Sequence, residues 1–191
     1  RQPLEDGMVT ISRVQGTLSF PARFILVAAM NPCPCGFAND PQKVCHCNPY
    51  QIVRYQKRLS GPLLDRIDLH IEVPRIKYES FVSDKQGESS ALIRQRVQQA
   101  RKLQTERFSS SETASCVVNA DMRAREIKRY CLIDQEAQQL LKLAVCQMHL
   151  SGRVYHRILK LARTIADLAG EEQIRAEYIA EAIQYRPRTY E

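Results

Sequence analysis

The chain has 191 residues, 44% of them hydrophobic, with 28 Lys and Arg against 21 Asp and Glu for a net charge of +7. That length suits one ordinary domain or two small ones, and the apolar fraction excludes an intrinsically disordered chain. No apolar run approaches the roughly 18 residues that span a bilayer, so no membrane partner is expected.

The chain opens Arg1-Gln2-Pro3-Leu4-Glu5-Asp6, with no initiator Met and no apolar signal-peptide core. It reads as a segment cut from a longer cytoplasmic protein. Val9 to Arg13 and Thr17 to Phe20 alternate apolar and polar residues around Gly16, the pattern of a β-hairpin. Phe24 to Met30 is apolar throughout, as in a strand buried on both faces of a parallel sheet. Ligands of open α/β sheets bind beyond the carboxyl ends of such strands. Asn31 stands at that end, where an amide can orient an attacking water or simply make the turn before Pro32.

Cys33-Pro34-Cys35-Gly36 and Cys45-His46-Cys47 place four of the seven cysteines in one loop. Four thiolates can close a tetrahedral zinc site. A reduced, metal-free loop and a redox-active pair are the other readings. An odd cysteine count argues against a disulfide framework. Cys116, Cys131 and Cys146 read as buried small hydrophobes.

Gln51 to Leu64 is expected to be helical, with a break or kink at Gly61-Pro62. Arg66 then sits between helix and strand, where a guanidinium can reach into a neighbouring subunit's phosphate site. It can equally pair locally with Asp65 or Asp68. Ile67 to Val73 is a second expected strand, ended by Pro74. Ser83 to Ser90 is polar and non-periodic and marks a linker.

Everything beyond is helical. The expected helices run from Leu92 to Phe108, from an Asn119 cap to Cys131, from an Asp134 cap through Met148, from Arg153 to Ala169 and from Ala176 to Tyr185. Ser109 to Thr113 is a polar break, and Gly170 is the expected stop of the fourth helix. Ser151-Gly152-Arg153 sets an arginine in a first helical turn, against the helix dipole. With the free N–H groups there, Arg153 suits a phosphate.

None of the seven glycines opens a G-x-x-x-x-G-K-[ST] loop, and no apolar strand ends in adjacent acids that could hold magnesium. This chain by itself is expected not to hydrolyse ATP.

The stretches RQPLEDG, TLSFPARFILVAAMNPCPCG, RLSGPLLDRIDLHIEVPR and SGRVYHRILKLARTIADLAG occur in this order. In them the chain resembles the magnesium-chelatase-like branch of the AAA+ ATPases, closest to the competence-associated ComM-type DNA helicases. The resemblance implies an α/β fold, a partial AAA+ core with a β-hairpin insertion over residues 1–80, followed by an all-α helical lid bundle over 81–191. It implies a ring, a hexamer in the full-length protein, that uses ATP and magnesium to drive branch migration on branched DNA in recombination or natural transformation. By position it makes Asn31 the sensor of the attacking water and Arg66 the finger given to the adjacent subunit. Arg153 becomes the lid contact to the γ-phosphate, and Arg13 a DNA contact near the hairpin tip. The phosphate-binding loop and the magnesium acids would lie upstream. The competing readings are the motor subunit of a metal chelatase and a zinc-stabilised binding module without enzymatic work.

Overall fold

The computed structural model describes residues 2–38, 40–76, 87–109 and 116–186. The chain divides into two compact units, Arg1–Ile67 with Glu72–Lys77, and Asp68–Ile71 with Tyr78–Glu191.

In the first unit a short helix, α1 (Gln2–Asp6), leads into strands β1 (Met8–Arg13) and β2 (Gly16–Pro21). The strands pair antiparallel, from Met8 with Pro21 to Arg13 with Gly16, leaving Val14 and Gln15 as the tip. One face carries Thr10, Ser12, Thr17 and Ser19. Their hydroxyls hydrogen-bond across the strands, Thr10 to Ser19 at 3.1 Å and Ser12 to Thr17 at 3.2 Å. Ile11, Leu18 and Phe20 lie on the other face and stay largely exposed.

The expected strands Phe24–Met30 and Ile67–Val73 do not form ladders. Ile25 and Val27 are 92% and 89% exposed. An extended segment becomes a strand only when neighbours take its backbone N–H and C=O groups in a repeating ladder, and among the described residues neither run has one. The helix expected over Gln51–Leu64 is broken before Gly61, into α2 (Pro49–Gln56) and α3 (Gly61–Leu64). Pro62 does not kink a helix but starts one, because its missing N–H falls in a first turn that needs no donor. Asn48 caps α2, accepting from the Gln51 amide at 2.8 Å while the Gln51 side chain reaches back to the Asn48 amide.

Among the described residues the second unit holds α4 (Ser90–Arg107), α5 (Ala124–Tyr130), α6 (Gln135–Gln147), α7 (Gly152–Ala169) and α8 (Ala176–Gln184). Ser89, Asp134 and Ser151 cap α4, α6 and α7 through side-chain oxygens. Gly170 ends α7 in the left-handed region, at φ 76°. Apolar faces of α5 to α8 converge on a core that includes Met122, Ile127, Leu141, Ile158, Ile174 and Ile179. Asn119 begins a short 3-10 turn, Asn119–Asp121, instead of capping a helix. Its side chain is drawn inward by buried charges, donating to Asp167 at 2.8 Å and to Thr164 at 3.1 Å and accepting from Arg107 at 2.9 Å. Asp167 also takes a bidentate pair from Arg107 at 2.5 and 2.8 Å, and Arg163 at 3.1 Å. Arg163 spends its other donors on the carbonyls of Glu171 and Glu172.

Part of the expected second strand belongs to this unit. Asp68 pairs with Arg157, and the His70 amide donates to the Tyr185 carbonyl at 2.9 Å. Most of the Ser83–Ser90 and Ser109–Thr113 segments lie outside the described residues. Of the scattered cysteines, Cys116 and Cys131 are buried as expected, but Cys146 is exposed, on the outer side of α6.

Candidate functional site

The four loop cysteines come together. Cys33 Sγ lies 3.3 Å from Cys35 Sγ and 3.7 Å from Cys45 Sγ, with Cys35 and Cys45 3.6 Å apart. All four sulfurs, Cys47 included, fall within 4.8 Å of one another. Cys33 is fully buried and the other three partly so. All are free thiols.

Local backbone builds this arrangement. The Gly36 amide closes a turn onto the Cys33 carbonyl at 3.0 Å. Gly36 sits at φ 83°, a conformation that strains any side chain. The turn aims the Ala38 amide at Cys33 Sγ, 3.3 Å away. The Phe37 amide favours the thiolate of Cys35 most strongly, with further help from neighbouring thiols, and lowers its pKa to about 6. The Cys47 amide acts the same way on Cys45, but burial and the neighbouring thiols outweigh it and push that pKa up to about 12. Four sulfurs this close cannot all ionise by themselves: some go down only as others go up. A thiophilic cation removes the conflict, and the set is compatible with zinc. By contrast burial, with the Asp167 carboxylate and against the nearby Arg163 and Arg107, drives the Cys131 thiol to about 12, the mark of an inert core cysteine.

Asn31 is exposed and immediately precedes this loop. Its side-chain amide lies over Gly36, with Cγ and Nδ2 both 3.9 Å from where a Cβ would stand. The Pro32 carbonyl accepts from Gln56 Nε2 at 3.3 Å, which ties the residue after Asn31 to the end of α2.

Arg66 follows α3. It pairs with neither Asp65 nor Asp68. Its Nη2 meets Glu5 of α1 at 2.7 Å, and its Nη1 donates to the Pro62 carbonyl. The guanidinium is thereby held in one orientation, with 11% of the side chain exposed. No spacing in the sequence links residue 5 to residue 66, so Glu5 was not legible as a partner. Arg13 is the last residue of β1 and exposed beside the hairpin tip. Arg153 is the second residue of α7, exposed in its first turn, while Val154 behind it is buried. The structure thus gathers the four cysteines beside Asn31. Arg66 and Arg13 sit at separate places in the first unit, and Arg153 in the second.

Residues 1–81 match the family model described as magnesium chelatase, subunit ChlI, and residues 87–186 match that of the subunit ChlI C-terminal region. Among curated relatives, the competence protein ComM of Haemophilus influenzae is 46% identical over 187 residues, 97% of this chain and 35% of the relative. The YifB protein of Escherichia coli is 39% identical, and a Mycobacterium tuberculosis protein, Rv2897c, is 38% identical, each over 97% of this chain. The chain spans about a third of the length of these relatives, 35–36%. No described helix is long and apolar enough to cross a membrane.

Proposed function

Because the chain belongs to the magnesium chelatase ChlI family of AAA+-type ATPases, we propose that it is the sensor-and-lid part of a ring-forming motor that uses ATP hydrolysis to move branched DNA. One observation carries the reading: both family segments match in order, and Asn31, Arg66 and Arg153 all fall within them. In this reading residues 1–80 complete an ATPase core and 81–191 form its lid. The exposed apolar run Phe24–Met30 supports the core assignment, because its side chains and backbone suit a place between neighbouring strands.

Each residue then has a physical task. The Asn31 amide orients the water that attacks the γ-phosphate. Arg66 leaves its pair with Glu5 to reach the adjacent subunit's site, where it offsets charge building on the transferred phosphoryl group, an effect of roughly 10³–10⁵ in rate. Arg153, in the first turn of α7, contacts the γ-phosphate from the lid. Magnesium would supply further charge neutralisation when bound with ATP. Arg13 meets the phosphate backbone of DNA, to which the net charge of +7 is favourable. The relative named for competence favours DNA as the object moved.

The test is hydrolysis by the full-length protein with and without four-way junctions. Arg66→Ala is expected to cut the rate by at least 10³-fold while ATP still binds. Unchanged hydrolysis would remove the finger assignment. A wild-type protein that neither binds junctions nor is stimulated by them would leave the metal-chelatase motor as the better reading.

A further inference from the structure

Cys33 is the only buried side chain among the described residues of the first unit. A segment with so little burial needs another restraint to hold one conformation. We propose that Cys33, Cys35, Cys45 and Cys47 bind one zinc ion in a closed, structural site that clamps the turn beneath Asn31 to the start of α2. The metal site stands on its own geometry, and only its consequence for Asn31 rests on the motor reading.

The distances fit a tetrahedron. Ligands on a zinc ion with Zn–S bonds of about 2.3 Å lie about 3.8 Å from one another. The separations among the sulfurs of Cys33, Cys35 and Cys45 are 3.3, 3.6 and 3.7 Å, and that of Cys47 lies within 4.8 Å of each. A disulfide would draw two sulfurs to about 2.05 Å, so the four are arranged as ligands and not as a bridge. Four soft sulfur donors select zinc over magnesium or calcium. The Ala38 amide already aims at the Cys33 sulfur, 3.3 Å away, where it offsets part of the negative charge of a tetrathiolate. On binding, the thiols that are still protonated release their protons to solvent and the ion takes four thiolates. No coordination position is left for substrate.

The ion would join the two ends of its loop. Its first ligand follows Asn31-Pro32, and its last is followed at once by Asn48, the cap of α2. The Gln56 bond to the Pro32 carbonyl closes the same circuit from the far end of α2. Asn31, lying over Gly36, is therefore set by the metal loop.

Elemental analysis of the chain purified without added metal is expected to give about one zinc per molecule. The double variant Cys35→Ser, Cys47→Ser should lose it, and Cys146→Ser should keep it. Cobalt(II) in place of zinc should show the d–d and sulfur-to-metal charge-transfer bands of a tetrahedral tetrathiolate. Chelation should speed hydrogen exchange at the amides of Gly36 to Ala38 and leave those of α7 unchanged. Should the double variant fail to fold, the cobalt spectrum of the wild-type chain still decides. A folded wild-type chain without metal, a cobalt spectrum lacking sulfur ligation, iron in place of zinc, or zinc retained by a folded double variant would each overturn the proposal. Failure of the Arg66→Ala test would leave it untouched.

Discussion

The two units are held by different physics. The second buries Met122, Leu141, Ile158, Ile174 and Ile179 almost completely and adds a buried charge network around Asp167. The first buries Cys33 alone among its described residues, and exposes apolar side chains along the hairpin and the Phe24–Met30 run. A helix satisfies its own backbone and needs only an apolar face to cover, so the described helices suffice to make a core. Extended segments must borrow hydrogen bonds from neighbours. The first unit therefore depends on local devices: the hairpin ladder, the Asn48 cap, the Glu5–Arg66 pair and the thiol cluster.

The sharpest way to break this contrast is Asp167→Ala. It leaves Arg107 and Arg163 without their shared carboxylate in a buried setting. A loss of about 3–5 kcal/mol is expected in denaturant unfolding followed by helical circular dichroism. A loss under about 1 kcal/mol would mean that the network is solvated and the core alone carries the unit.

A smaller effect is expected from Asp134→Ala, which removes the 2.7 Å bond to the Ala137 amide at the start of α6. Loss of that cap should cost about 1 kcal/mol in the same experiment. Asp134→Asn should recover most of it.

The smallest effect belongs to the first unit. Asp40 accepts from the amides of Gln42 at 2.8 Å and Lys43 at 3.0 Å, and from Arg75 at 3.4 Å. Chiefly through the Gln42 amide, its carboxyl is held below the ordinary value of 3.8. A carboxylate depressed by folding contributes its stability above the unfolded pKa and loses it as pH falls through the folded one. The Asp40–Lys43 turn should thus hold at neutral pH and loosen only below pH 3.8. A side-chain NMR titration of Asp40 checks this, since a midpoint at or above the ordinary value would contradict it.

Local patterns carried far in the helical half. The Asp134 cap and the Gly170 stop both correspond to observed features, because capping is written within a few residues. Asn119 shows where that reasoning stops. As an isolated residue it suits a cap, but Arg107, Thr164 and Asp167 claim its side chain from 12 to 48 positions away. In the candidate site, the spacing of the two C-x-C pairs was enough to suspect one metal centre. The Ala38 amide on Cys33 was not visible, since it depends on the turn at Gly36.

The sequence by itself determined the hairpin, the helical bundle, the grouping of four cysteines in one loop and the family, because each is carried by neighbouring residues or contiguous motifs. Only the tertiary structure decided that Arg66 is held by Glu5 and not by Asp65 or Asp68, that Asp68 turns to Arg157, and that Phe24–Met30 lies exposed. Ion pairs and sheet ladders join groups far apart in the chain, and their partners are chosen by where the backbone brings them.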